Sequence, residues 1–163
     1  MSGAGSWYAI IDGAQDPRLA GLARSCAAHI CLFKGELAPN LAQASPWLVR
    51  VDEREALIPT WRQHGAGAHW GIMVYSALSL EALQRHFRRF LQARLPNGAI
   101  VLFRFYDPRV FNTFIRAAAP EERAPWFDGV SQYAIERDDA QAGGLHQYRL
   151  HDGRLFDGGE ALG

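Results

Sequence analysis

Val101-Leu102-Phe103-Arg104-Phe105-Tyr106-Asp107-Pro108-Arg109-Val110-Phe111 joins two structural periods in eleven residues. From Ile100 to Tyr106 only Arg104 interrupts an apolar and aromatic run, the pattern of a strand buried on both faces. Asp107-Pro108 then reads as a helix start, since the carboxylate can cap free N–H groups and Pro at the first helical position loses no useful hydrogen bond. Val110, Phe111, Phe114 and Ile115 continue at helical spacing. Arg104, Tyr106, Asp107 and Arg109 would therefore gather at the C-terminal end of a core strand, where open α/β sheets usually build sites. The plainest role for Asp107 is the cap itself. Arg104 would pair with a neighbouring carboxylate, and Tyr106 would pack its ring and hydrogen-bond its hydroxyl.

The same grammar recurs upstream. Trp7-Tyr8-Ala9-Ile10-Ile11 reads as a core strand ending at Asp12-Gly13, and Asp16-Pro17 opens a helix with Leu19, Leu22, Ala23 and Cys26 on its apolar side. Strands are expected over 30–33, 47–51 and 70–75. The segment between Lys34 and Pro46 reads as a loop, and 54–64 as a short helix disturbed by Pro59. Ser79 caps a helix whose stripe is Leu80, Leu83, Phe87, Phe90 and Leu91, with Arg85, Arg88, Arg89 and Arg94 on the remainder. Pro96-Asn97-Gly98 is a turn into the central strand. Pro120 should end the helix after it, and 121–128 reads as a loop whose Trp126 and Phe127 fold onto the core. A strand follows over 130–136, then a polar connection over 138–144. Asp152-Gly153 is a hairpin turn between strands over 145–151 and 154–156. The expected class is α/β: a mixed sheet with helices on its faces, and antiparallel strands added by the C-terminal third. Residues 1–163 form one domain on this reading, with 1–6 and 157–163 flexible.

At 163 residues the chain is long enough to bury about two-thirds of its unfolded surface, and 48% hydrophobic and 21% charged residues are ordinary for a globular protein. No apolar run approaches the ~20 residues of a membrane span, and the N-terminus lacks a signal-peptide pattern, so a cytoplasmic location is expected. Cys26 and Cys31 match no redox or zinc spacing, and His29 between them leaves a metal set one ligand short. Both read as reduced thiols. Net charge is zero but uneven: residues 79–119 carry seven positive and two negative side chains, and 120–163 carry four positive and nine negative. Either the two segments face each other in the fold, or they leave a bipolar surface that orients protein partners. A nucleic-acid binder would carry a net basic domain, which this is not.

No GxSxG, HExxH, DxDxDG or Walker pattern occurs, and Gly65-Ala66-Gly67-Ala68-His69 lacks the spacing and the lysine of a phosphate loop. The histidines are scattered, and Asp52, Glu53 and Glu55 suit a helix start. No enzyme class, cofactor or metal is implied.

Several ordered segments do resemble one family. They are Trp7-Tyr8-Ala9-Ile10-Ile11-Asp12-Gly13-Ala14, Leu32-Phe33-Lys34-Gly35, Ser45-Pro46-Trp47-Leu48-Val49, Gly71-Ile72 with Ser76, His86-Phe87-Arg88-Arg89-Phe90-Leu91 and Phe103-Arg104-Phe105-Tyr106-Asp107-Pro108-Arg109-Val110. Across about residues 7–135 the chain is similar to the effector chaperones, or adaptors, of bacterial type VI secretion systems. That resemblance implies a non-enzymatic protein that binds a toxic effector and helps load it onto the VgrG spike, sometimes with a PAAR tip protein. It brings Arg104, Tyr106, Asp107 and Arg109 forward as partner-binding residues without assigning each a role. Two other readings stand beside it: a small α/β enzyme using Asp107 with Arg104 and Arg109 on a phosphate or carboxylate, and a regulatory interaction module unrelated to secretion.

Overall fold

Strict alternation along the first strand divides the molecule's interior. The computed structural model describes residues 4–33, 35, 39–138 and 144–163. In β1 (Ser6–Asp12), Tyr8 and Ile10 face one core while Ala9 and Ile11 face another on the opposite side of the sheet. The chain continues through α1 (Leu19–Ser25), β2 (His29–Cys31), α2 (Pro39–Ala44), β3 (Pro46–Arg50) and α3 (Leu57–Thr60), which runs into a π-helical turn at Trp61–Gly65. Next come β4 (Gly71–Ser76), α4 (Leu80–Arg88), β5 (Gln92–Arg94), β6 (Ile100–Leu102) and α5 (Pro108–Ala117). After α6 (Pro120–Arg123) and a 3₁₀ turn at Ala124–Phe127, the chain ends in β7 (Val130–Glu136), β8 (Leu145–His151), β9 (Arg154–Asp157) and β10 (Glu160–Ala161).

Eight strands form one sheet in the order β10-β9-β8-β7-β4-β1-β3-β2, and every pairing in it is antiparallel. With helices packed on the sheet, the architecture is the expected α/β class, and β7 to β10 add the antiparallel strands of the C-terminal third. Asp152 and Gly153 both have positive φ, 49° and 76°, as a tight right-twisting hairpin turn requires. At Gly71, where β4 crosses β1, an added Cβ would stand 2.1 Å from the Ile10 carbonyl oxygen, so the approach admits only glycine.

The larger core lies under α4 and α5 and is rich in aromatic rings. Trp126 touches Phe90, Phe103, Phe105, Phe111 and Phe114, fastening the 3₁₀ turn to α5 and to the residues that flank β5 and β6. The second core packs α1 and α3 with Trp47, Trp61 and Trp70 on the other face.

The stretch around residue 101 is not a sheet strand. Pro96-Asn97-Gly98 closes a hairpin, with Gly98 at φ 88° and Asn97 Oδ1 accepting the Ala99 N–H at 2.9 Å. Residues 100–102 therefore pair with 92–94 in a separate two-stranded ribbon. An apolar Ile-Val-Leu run has the same period whether it is buried in a sheet or exposed on a ribbon. The same hairpin moves Arg94 off the helix, which ends at Arg88. Two prolines read as interruptions are helix starts: Pro39 opens α2 inside the expected loop, and Pro120 opens α6 where only a stop was foreseen. Over 157–163, expected to be flexible, β10 pairs with β9 and the Leu162 N–H donates to the Leu155 carbonyl at 2.7 Å. Residues 1–3, Lys34, 36–38 and the connection at 139–143 lie outside the described residues.

Candidate functional site

Arg104, Tyr106, Asp107 and Arg109 do meet at one corner, between the hairpin and α5, although no sheet strand delivers them. Asp107 caps α5: its Oδ1 accepts the Arg109 backbone N–H at 2.9 Å and Arg109 Nε–H at 3.1 Å, and its Oδ2 accepts Arg109 Nη2–H at 2.8 Å. Burial alone would raise the Asp107 carboxyl, but the side-chain and backbone bonds from Arg109 outweigh it and hold the group below the usual carboxylate range. Arg109 itself is about half exposed.

Arg104 reaches across to Asp12, the last residue of β1, and donates through Nη2 to its carboxylate. Asp12 is 1% exposed and also accepts the Ala14 N–H at 3.1 Å and Gln15 Nε2–H at 3.2 Å. The pair ties the corner to the end of a central strand. Beside it, an added Cβ at Gly13 would stand 2.4 Å from the Gln43 carbonyl oxygen. Tyr106 is buried; burial, then the Asp12 charge, pushes its phenol up to about 12, so it stays protonated. Of the four, Tyr106 and Asp107 are thus inside the fold, and only the two guanidinium groups face solvent. Asp12 was not among the anticipated site residues. It stands 92 residues from Arg104, and no local pattern links them.

The hairpin above this corner is the most exposed apolar element. Among the described residues, five large apolar side chains are exposed, and four belong to it: Leu95, Ile100 at 57%, Val101 at 39% and Leu102 at 48%. Globular surfaces do carry isolated apolar side chains, but here four large ones are concentrated on one short hairpin.

A polar network lies at the other end of α5. Arg116 Nε–H donates to the Tyr148 hydroxyl at 3.0 Å, and that hydroxyl donates to Asn112 Oδ1 at 2.7 Å. His146 Nδ1 sits 2.7 Å from Asp157 Oδ2 and 3.0 Å from Arg116 Nη2. It cannot donate to one and accept from the other at once, and the shorter contact to the carboxylate makes it a donor to Asp157. Arg116, Asn112 and His146 line a shallow depression of about 580 Å³. Their hydrogen bonds fix β8 and β9 to α5. A groove of about 680 Å³ on the opposite sheet face runs between Trp7, Met73 and Trp61.

Fold and corner together define an α/β domain in which four of the five large apolar side chains exposed among the described residues project from one hairpin. The family model described as Domain of unknown function (DUF4123) matches residues 7–125, and the chain belongs to that family. No curated protein and no solved structure matches it. The match contains the hairpin, the corner and Asp12, whereas His146 and Asp157 lie beyond it.

Proposed function

We propose that this protein is a cytoplasmic chaperone, or adaptor, that binds a type VI secretion effector and helps load it onto the VgrG spike, in some systems with a PAAR tip protein. The observation that carries the reading is the exposed apolar hairpin, set beside a corner that lies within the matched family region. Arg104 and Arg109 meet the partner through their exposed guanidinium groups, since arginine and large apolar side chains are the usual interface anchors. Tyr106 and Asp107 act from behind: Asp107 orients Arg109 through both carboxylate oxygens, and Tyr106 packs its buried ring edge-on against Phe105. The protein turns over no substrate in this role. Consistent with it, both Asp107 oxygens are already occupied by Arg109 rather than presented to a cavity. Among the described residues, no helix is long and apolar enough to cross a membrane.

Affinity purification from the native cell, followed by mass spectrometry of what co-elutes, tests this. An effector and a spike protein should be recovered with the wild type. Recovery of neither overturns the proposal.

A further inference from the structure

We infer that the outer edge of β6 is a docking strand for an extended, acidic and apolar segment of a partner polypeptide. The inference deepens the adaptor reading and rests on it for the partner's identity, but its geometry stands alone.

The ribbon's hydrogen bonds fix which backbone groups are free. Phe103 N–H donates to the Leu91 carbonyl at 2.7 Å and Leu95 N–H to the Ala99 carbonyl at 2.8 Å, with register Gln92↔Leu102, Ala93↔Val101 and Arg94↔Ile100. Bonded and non-bonded pairs alternate in an antiparallel ladder. Ala93–Val101 is therefore a bonded pair, while Ile100 and Leu102 turn their N–H and C=O away from β5. No hydrogen bond among the described residues uses those groups. The side chains agree. Val101 shares a ribbon face with Leu91 and Phe103, which pack into the core, and is the least exposed of the three β6 residues. Ile100 and Leu102 share the other face and are the most exposed. A free edge with apolar side chains is a template for an added strand.

Charge selects the guest. From residue 82 to 106 the chain carries Arg85, Arg88, Arg89, Arg94 and Arg104 and no carboxylate. Arg88 is spent on the Leu32 and Phe33 carbonyls and Arg104 on Asp12, but Arg85, Arg89 and Arg94 are exposed with no carboxylate partner among the described residues. Arg94 stands opposite Ile100 on the free face. A guest strand with apolar residues facing Ile100 and Leu102 across the edge, and a same-face glutamate or aspartate at the turn end, where Arg94 Nη1 reaches the Gly98 carbonyl at 3.4 Å, satisfies both the edge and the charge.

The probe is a blocked ten-residue peptide with valine or threonine at the two positions that face Ile100 and Leu102 and glutamate at the same-face positions flanking them, titrated into the full chain. Saturation should slow amide hydrogen exchange at Ile100 and Leu102 at least tenfold and leave Val101 nearly unchanged. Replacing the glutamates by lysine, or introducing Ile100→Asp with an unchanged thermal melt, should weaken binding at least tenfold. The edge is overturned by a peptide that fails to bind at about 1 mM, by one that binds without protecting those amides, or by sedimentation showing that a second copy already occupies β6. The two proposals fail separately. If wild type and Ile100→Asp recover equal effector from cells, the edge is wrong and the adaptor stands. If the peptide docks as described but no effector or spike is recovered, the edge stands and the adaptor reading falls.

Discussion

Three Asp-x-Arg units adopt one local geometry: Asp16 with Arg18, Asp52 with Arg54 and Asp107 with Arg109 each bond one carboxylate to the arginine's backbone N–H, Nε and Nη2. The arginine bonds hold the half-buried Asp16 and Asp52 down to about 2. Only Asp107 is buried and caps a long helix, so it is where the unit matters for stability. Asp107→Ala should cost about 1–2 kcal/mol in urea denaturation, and Asp107→Asn less, because Asn also caps well. Asp107 is held below its unfolded pKa of about 3.9, so its charge stabilises fully above that pH and the contribution fades as pH falls through the folded value. The margin of wild type over Asp107→Asn should accordingly shrink between pH 5 and pH 2, as urea midpoints across that range will report. Cys26 gives a second residue-scale test. Burial, then the nearby Glu55 charge, pushes its thiol up to about 11, which leaves roughly a thousandth as thiolate at pH 8. A thiol reagent should label the less buried Cys31 promptly and Cys26 only on unfolding. The Asp107 cap was legible in sequence, because a capping carboxylate acts within two residues; Asp16 makes the same bonds, but α1 starts only at Leu19, with Arg18 as its N-cap and no side-chain cap bond. The Asp12–Arg104 pair was not, because it is made only after β1 and the corner have folded together.

Among the elements, those with local punctuation were legible and those decided by pairing were not. Asp152-Gly153 specified its hairpin because the turn's backbone demands those residues, and Val130–Glu136 is a strand with the expected limits. Ile100-Val101-Leu102 misled because apolar period alone cannot say whether a strand enters the main sheet or folds back on residues 92–94 just before it. What keeps that ribbon in place is Trp126. It stacks on Phe90 with 4.0 Å between ring centroids and meets Phe103 edge-on at 6.0 Å, at the two ends of the hairpin, while Phe111 and Phe114 hold it to α5. Trp126→Ala should cost about 3–5 kcal/mol, the usual range for emptying a buried aromatic site. It should also release the ribbon, so that the Ala93 and Val101 amides exchange faster than the loss of global stability requires. Trp126→Phe keeps a ring in the site and should show a smaller version of both effects. If the alanine variant changed the Ala93 and Val101 amides only as much as those of β1, Trp126 would be core filling alone.

At the scale of the whole molecule, zero net charge hides a dipole. The basic segment 79–119 and the acidic segment 120–163 could have neutralised each other, yet among the described residues one ion pair, Arg116–Asp157 at 3.5 Å, joins them. Arg85, Arg89 and Arg94 stay exposed, and Arg94 shares a ribbon face with Ile100. Such an arrangement separates two steps of association. Long-range attraction acts on the approach and is screened over about 8–10 Å at ordinary salt, whereas apolar contact at Ile100 and Leu102 acts after arrival. Raising NaCl from about 50 to 500 mM should thus lower the association rate for the acidic peptide roughly tenfold and change dissociation little. Ile100→Ala should do the reverse, raising the dissociation rate with the association rate nearly intact. Stopped-flow fluorescence with the labelled peptide separates the two rates. An association rate indifferent to salt would mean that the arginines do not steer the guest, even if the strand edge holds it.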